Sequence, residues 1–164
     1  MPGKADNPND RKAQVKAAFR QNHRDYRYRF VEFFVEHLAD VSKTFRGDLQ
    51  QVMVLAIIGQ VRLLALAEAA AAGHDPDRIP RKKLSISASR LADVTGIPRE
   101  TIRRKLVLLE RRGWIVRSEV SGWRLAVDGD EVPARSALSD LDERTIERVA
   151  RLFADLETIA GRAP

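Results

Sequence analysis

The residues best suited to selective hydrogen bonding lie between Gly96 and Gly113, a stretch that has the pattern of one short helix. Gly96 permits a tight turn before it, and Pro98 fixes a backbone angle suited to a first helical turn. At about 100° per residue, three apolar side chains fall on one side of this helix: Ile102, Leu106 and Leu109. The opposite side carries Glu100, Arg104, Val107 and Arg111. We therefore expect one side to pack and the other to face outward.

The outward side offers groups with a defined hydrogen-bonding geometry. The planar guanidinium of Arg99 or Arg104 matches the two acceptors that guanine presents in the major groove of DNA. The Glu100 carboxylate can accept a hydrogen bond from a cytosine amino group. Thr101 and Arg103, on the flanks, suit contacts with phosphate. The pattern predicts base contacts by the first three residues, and the alternative is a solvated, charged surface helix.

The elements around this helix form a familiar order. Residues 84–95 have the pattern of a short strand followed by a brief helix, for which Ser87 is the predicted N-cap. A turn at Gly96 joins that helix to the next one. Downstream, residues 114–120 and 123–127 have the pattern of two β-strands joined by a Ser-Gly turn signal. This order predicts a winged helix-turn-helix, in which the second helix enters the major groove.

The run over 96–106, Gly-x-Pro-Arg-Glu-Thr-Ile-x-Arg-x-Leu, resembles the recognition helix of the Crp/Fnr family of transcription regulators. That family reads Gly-x-Ser-Arg-Glu-Thr-Val-x-Arg-x-Leu, and its first arginine, its glutamate and its later arginine contact base edges. The resemblance implies the same role for Arg99, Glu100 and Arg104. Pro98 stands where the family has serine, which removes a hydroxyl that the family can aim at the DNA backbone.

The resemblance also implies contacts with the DNA backbone. In the Crp/Fnr family, the threonine beside the glutamate and a hydroxyl residue that caps the preceding helix touch phosphate; these correspond to Thr101 and Ser87. Similar helices occur in the GntR family, in which the position of Arg103 also helps to bind DNA. We add two cations of the predicted hairpin, Arg117 and Arg124, to the expected backbone contacts.

The rest of the chain departs from Crp/Fnr proteins, because the first 75 residues have helical patterns and show no cyclic-nucleotide-binding β-barrel. Helical flanks around a winged domain are similar to the MarR family, whose flanking helices form a dimer, although its Asp-x-Arg wing motif is absent here. The predicted fold class is mainly α with a small β-hairpin wing, a winged helix-turn-helix core between N- and C-terminal dimerisation helices. The predicted segments are a mobile tail over 1–10, a helical dimerisation region over 11–76, a DNA-binding domain over 77–130 and a C-terminal helix over 137–161.

The stretch from Leu49 to about Ala72 is apolar on nearly every side, which predicts a helix buried all round. Its longest uninterrupted apolar run is far shorter than the roughly 20 residues that a bilayer needs, so we expect no membrane span. One small chain offers few layers to bury such a helix. We therefore expect a second copy to cover one side, and a small-molecule effector pocket beside it is a weaker extension. The residues predicted at the dimer interface are Phe30, Phe34, Val52, Ile57, Ile58, Val61, Phe153 and Leu156.

The positive charge of the chain is concentrated on the predicted DNA-binding segment. Between Arg78 and Arg117, twelve Lys or Arg residues stand against three carboxylates, a local net charge of +9 in a chain of +6. Such a concentration attracts polyanions and supplies the salt-dependent part of nucleic-acid binding. Improved solubility is the alternative explanation.

Catalytic and metal-binding patterns are absent from the sequence. The chain has no cysteine, its three histidines show no metal-ligand spacing, and it contains no glycine-rich phosphate loop. We therefore predict no enzyme, no metal site and no cofactor. No apolar segment opens the chain and no disulfide can form, so we expect a cytoplasmic location.

Together these features predict a sequence-specific DNA-binding transcription regulator, a homodimer that reads a pseudo-palindromic operator in successive major grooves. Its expected partners are double-stranded DNA, a second copy of itself and, by extension, a small-molecule effector. Two alternatives stay open. One is a basic module that binds nucleic acid without sequence preference, supported by the Arg- and Tyr-rich residues 24–30. The other is a winged-helix module that binds protein.

Overall fold

The computed structural model describes residues 8–118 and 122–161, and most of them are helical. The α-helices in these ranges are α1 (Pro8–Gln21), α2 (His23–Thr44), α3 (Leu49–Ala71), α4 (Ala88–Thr95), α5 (Arg99–Arg111), α6 (Pro133–Ala137) and α7 (Ser139–Ala160). Strands β1 (Ile115–Ser118) and β2 (Gly122–Leu125) pair antiparallel. Two short 3₁₀ helices, Pro76–Arg78 and Arg81–Leu84, lie between α3 and α4. The coarser prediction, a mainly α chain with one small β-hairpin, is confirmed.

The chain divides into two compact units. The central unit comprises Val41–Asp140, and the flanking unit comprises Met1–Asp40 together with Leu141–Pro164. The predicted segments place α3 in a region over 11–76; in the structure it packs with α4, α5 and β2 in the central unit. The predicted tail differs as well: residues 1–7 lie outside the described residues, and residues 8–10 already form the first turn of α1.

The core of the central unit is built from one face each of α3, α4 and α5. The apolar side chains buried there are Phe45, Val54, Leu55, Ile58, Leu91, Ile97, Ile102, Leu106, Leu109 and Ile115. α3 is long and apolar enough to cross a membrane by length and composition alone. In the structure it packs against α5 and β2, and it leaves Met53, Leu63 and Leu64 exposed. This helix is therefore not buried all round within its own chain, and the expected cover by a second copy stays a prediction.

Side-chain caps explain where α3 and α4 begin. The Asp48 carboxylate accepts a 3.0 Å hydrogen bond from the backbone N–H of Gln51, and the Ser87 hydroxyl accepts one of 3.1 Å from Arg90 N–H. These bonds satisfy backbone donors that would otherwise lack a partner in the first turn. The N-cap prediction for Ser87 is confirmed.

The hairpin is joined to the segment before α4 by a single bridge. Ile86 and Trp123 exchange backbone hydrogen bonds of 2.9 and 2.8 Å, so the predicted strand within residues 84–95 is reduced to one bridging residue. Gly122 makes this close approach possible, because a Cβ there would lie 2.3 Å from the carbonyl oxygen of Ile86. Its φ of +110° is also a conformation that residues with a side chain rarely adopt. Of the predicted turn pair, Ser121 lies outside the described residues and Gly122 begins β2.

Candidate nucleic-acid interface

The inner side of α5 fixes which of its residues face outward. Ile102, Leu106 and Leu109 are buried, and α5 packs against α3, α4 and β1. The buried residues recur every three or four positions, as one face of a helix requires. The predicted division of this helix into an apolar inner side and a charged outer side is therefore confirmed.

The start of α5 differs in one respect from the sequence interpretation. Gly96 adopts the left-handed conformation, with φ of +69°, and ends α4. Pro98 does not lie in the first turn of α5. It occupies the N-cap position with an extended ψ of 140°, and no side chain caps the helix there. Its carbonyl oxygen accepts the first helical hydrogen bond from Ile102 N–H. The first-turn N–H groups of α5 therefore receive no hydrogen bond from a cap side chain.

Two predicted base-reading residues, Glu100 and Arg104, lie on the outer side of α5, and the third, Arg99, is its first residue. Arg99, Glu100 and Arg104 are all exposed. The Glu100 carboxylate lies 3.6 Å from the guanidinium of Arg103, and Arg104 donates a 3.3 Å hydrogen bond to the Thr101 hydroxyl. Exposed contacts of this kind contribute little in water, about 1 kcal/mol or less. These contacts order the side chains on the surface, and contacts with another molecule can replace them.

Ser87 lies at the start of α4, and its hydroxyl already accepts the cap hydrogen bond. A serine hydroxyl has one donor and two acceptor positions, so its proton remains available for a phosphate oxygen. The cap fixes where this donor points. The predicted contact of Ser87 with the DNA backbone is compatible with its exposed position.

The two arginines of the hairpin do not lie on the same face. Arg117 is opposite Trp123 in the ladder and Arg124 is opposite Val116, so the two pairs alternate between the faces of the sheet. Arg117 is exposed. Arg124 is half-buried, and its guanidinium donates to the carbonyl oxygen of Leu125 at 3.3 Å. Arg117 is therefore accessible, and its backbone contact stays a prediction, whereas Arg124 is turned towards its own chain, which does not favour the backbone contact predicted for it.

Three residues that the sequence interpretation missed hold α5 in place. Lys105 donates a 2.8 Å hydrogen bond to Asp48, the residue that caps α3. Arg112, just after α5, stacks over Trp114 with its guanidinium carbon 4.8 Å from the ring centroid. Phe45 meets the same tryptophan edge to face, with centroids 5.9 Å apart. The contacts of Lys105 with Asp48 and of Phe45 with Trp114 join residues far apart in the chain, so no local sequence pattern could have indicated them.

A cavity of about 490 Å³ lies at the C-terminal end of α3 in the central unit, within reach of the loop to the first 3₁₀ helix. Its charged lining residues are paired: Glu68 lies 3.8 Å from Lys83, and Asp75 lies 3.9 Å from Arg78. The position is compatible with the predicted effector pocket beside α3. The effector itself stays a prediction.

In the flanking unit, α2 and α7 run antiparallel and are joined by ion pairs. Arg144 donates to Asp40 at 2.7 Å from Nε, Glu36 accepts from Arg151, and Arg29 lies 3.4 Å from Asp155. Arg29, Glu36 and Asp40 recur at spacings of seven and four residues, so the charged side of α2 faces α7.

The other sides of α2 and α7 carry an exposed apolar surface. Its large members are Tyr28, Phe30, Val31, Phe34, Val35, Leu38, Ile146, Val149 and Phe153. Among the described residues of this unit, the fully buried apolar side chains are Ala18 and Ile159. Helices are normally stabilised by burying their apolar side. This surface, here called the α2/α7 apolar surface, thus lacks a covering layer within its own unit.

The residues predicted for dimerisation fall into three groups. Phe30, Phe34 and Phe153 are exposed on the α2/α7 apolar surface, and Leu156 is half-buried. Val52, Ile57 and Val61 on α3 are also half-buried. Ile58 is completely buried within the chain and has no surface left for a second copy. Its assignment to a dimer interface is therefore wrong.

Comparison of the chain with protein-family models, with curated proteins and with solved structures gives no match.

Proposed function

We propose that this chain is a winged helix-turn-helix transcription regulator that binds specific DNA sequences as a homodimer. The observation that carries the proposal is the outer side of α5. Arg99, Glu100 and Arg104 are exposed on a short helix, and the apolar side of that helix is buried in the core. These side-chain types match the hydrogen-bonding groups that base pairs display in the major groove.

The neighbours of α5 support the same proposal. α4 ends at Gly96 and packs against α5, and the hairpin follows α5 directly with Arg117 exposed on β1. A winged helix-turn-helix places its second helix in the groove while its wing approaches the backbone. The hydroxyl of Ser87 and the guanidinium of Arg103 would supply further phosphate contacts. The local net charge of +9 between residues 78 and 117 would add attraction to any duplex.

The proposed homodimer draws its support from the α2/α7 apolar surface. Exposed apolar sides made of large side chains are typical of protein interaction sites. We take a second copy of the chain as the partner that covers this surface, because a pseudo-palindromic duplex is bound by two copies of a protein related by two-fold symmetry. The two α5 helices would then reach major grooves about 34 Å apart along the duplex.

Selection of bound duplexes from a random pool, at roughly physiological salt, tests the proposal. Non-specific contacts weaken under these conditions, so enrichment reports base recognition. We expect an inverted repeat with half-sites about one helical turn apart. The Arg99→Ala/Arg104→Ala double variant, run in parallel, is expected to lose the enrichment while keeping binding at low salt. The Arg135→Ala variant, which removes an exposed arginine from α6, is the matched control and should select the wild-type repeat.

Two other outcomes would overturn the proposal. Binding at low salt without any enriched sequence would identify a basic module that binds nucleic acid without sequence preference. No duplex binding at any salt concentration would favour a winged-helix module whose partner is a protein.

A further inference from the structure

Val107 is the unexpected residue on the outer side of α5. The residue is 41% exposed, and it lies within a shallow groove that is also lined by Leu108 and by charged neighbours, Glu100, Arg104 and Arg111 among them. At about 100° per residue, Val107 falls between Arg103 and Glu100 around the helix axis, near the middle of the charged side. Val107 therefore does not lie at the edge of the buried apolar side of α5.

Helix propensity does not favour a valine at this position. A β-branched residue lowers helix propensity, because its side chain loses rotamer freedom against the preceding turn. An exposed valine also buries little apolar area within its own unit. A longer polar residue such as glutamine would serve an exposed helical position better. The apolar side chain thus suggests a contact with an apolar group of a partner.

Duplex DNA offers one such group in the major groove, the C5 methyl of thymine. Val107 is three residues beyond Arg104, so it lies about 4.5 Å further along the helix axis. Successive base pairs are about 3.4 Å apart. A helix that places Arg104 against one base pair would bring Val107 to a neighbouring pair, one or two steps away.

We propose that Val107 contacts the C5 methyl group of a thymine one or two base pairs from the pair read by Arg104, and so selects thymine there. This inference rests on the proposed function and deepens it by naming a specificity-determining residue. The contact is apolar and requires no displacement of the Glu100–Arg103 ion pair.

The test replaces thymine by deoxyuridine, one position at a time, in the duplex obtained by selection. Deoxyuridine keeps every hydrogen-bonding group and lacks only the methyl group. We expect one position in each half-site to lose about four-fold in affinity, the effect of one buried methyl group. The Val107→Ala variant should bind the thymine duplex about four-fold more weakly than wild type and should no longer distinguish thymine from deoxyuridine at that position.

Leu108→Ala is the competing variant, because Leu108 is the next residue on α5, is 40% exposed and lines the same groove. This variant should keep the wild-type sensitivity to deoxyuridine. The assignment would be overturned if Leu108→Ala, and not Val107→Ala, lost the sensitivity to deoxyuridine. It would also be overturned if no exchange of thymine for deoxyuridine changed the affinity. Failure to enrich any sequence is a different result, because it overturns the proposed function and this inference together.

Discussion

Lys105 on α5 and Asp48 at the start of α3 share a hydrogen bond of 2.8 Å between Nζ and Oδ2. The other oxygen of the same carboxylate caps α3 through the N–H of Gln51. Both side chains of the pair are largely buried, with exposed fractions of 18% and 25%. One carboxylate therefore sets the first turn of α3 and the position of α5 relative to it. This contact and the apolar core together fix the direction in which the outer side of α5 faces.

The first prediction concerns the stability that this carboxylate provides. Asp48→Ala removes the cap and the ion pair together and leaves the Lys105 ammonium without its partner. We expect it to lower the free energy of unfolding by about 2 to 3 kcal/mol. Lys105→Met keeps the cap and the aliphatic packing, so it should cost about 1 kcal/mol. Urea denaturation followed by circular dichroism measures both values.

Asp75→Ala is the matched control for the Asp48 variant. Asp75 also caps a turn, accepting a 3.0 Å hydrogen bond from Asp77 N–H, but it does so at an exposed 3₁₀ helix. We expect a loss well below that of Asp48→Ala. Equal losses in the two variants would mean that the pairing with Lys105 adds nothing to the cap.

The second prediction separates base reading from phosphate binding on α5, within the proposed function. Arg104→Ala should weaken binding to the selected duplex by about 1 to 3 kcal/mol and relax the preference at one base pair. Arg103→Ala should weaken binding to selected and random duplexes alike, and should lower the salt slope by about one. Fluorescence anisotropy over a series of salt concentrations measures both effects. If Arg104→Ala weakened selected and random duplexes equally, Arg104 would not read a base.

The local parts of this structure could be predicted from sequence, because they depend on spacing and on single residues. The apolar stripe of α5 recurs at helical spacing between two glycines, so both the helix and its inner side follow directly. The N-cap at Ser87 follows from a hydroxyl that accepts a hydrogen bond from a nearby N–H group. Such features involve residues three or four positions apart.

The parts that sequence could not predict depend on contacts between distant residues. α3 is apolar on nearly every side, so no stripe indicates which face is buried, and Ile58 was assigned to the wrong surface. Arg117 and Arg124 could not be placed on opposite faces of the hairpin without its register. Lys105 and Asp48 are 57 residues apart, and nothing in either local pattern indicates the pair.

The third prediction is a dependence of stability on pH that comes from Asp40. Its hydrogen bond from Arg144, with a further one from Arg148, lowers the pKa of Asp40 from 3.8 to about 2, although burial opposes this shift. A carboxylate whose pKa is lower in the folded state stabilises that state above its unfolded pKa and loses the effect as the pH falls through the folded value.

Asp40→Asn removes this effect. Above about pH 4 we expect the variant to be less stable by about 1 kcal/mol, a value reduced from the full shift because solvent screens the partly exposed Arg144. The difference between variant and wild type should shrink as the pH falls towards 2. Urea midpoints at a series of pH values measure it. A difference that stays constant down to pH 2 would contradict the ionic role of Asp40.

The fourth prediction asks which apolar surface holds the proposed homodimer together. Phe153 is 65% exposed on α7, whereas Leu63 is 67% exposed on α3, so the two residues are matched in exposure but lie in different units. Phe153→Glu places a charge on the α2/α7 apolar surface and should shift the chain from dimer to monomer, because burying an unpaired carboxylate in an interface is unfavourable. Leu63→Glu should leave the dimer intact.

Sedimentation equilibrium of both variants, with circular dichroism to verify that each is folded, decides between the two surfaces. Dissociation by Phe153→Glu alone supports an interface on α2 and α7, with α3 held inside its own unit by residues such as Ile58. Dissociation by Leu63→Glu alone would instead indicate an interface on α3, as the apolar pattern of that helix predicts. If the wild-type chain sediments as a monomer, the α2/α7 apolar surface has another occupant, and a single α5 would read one half-site.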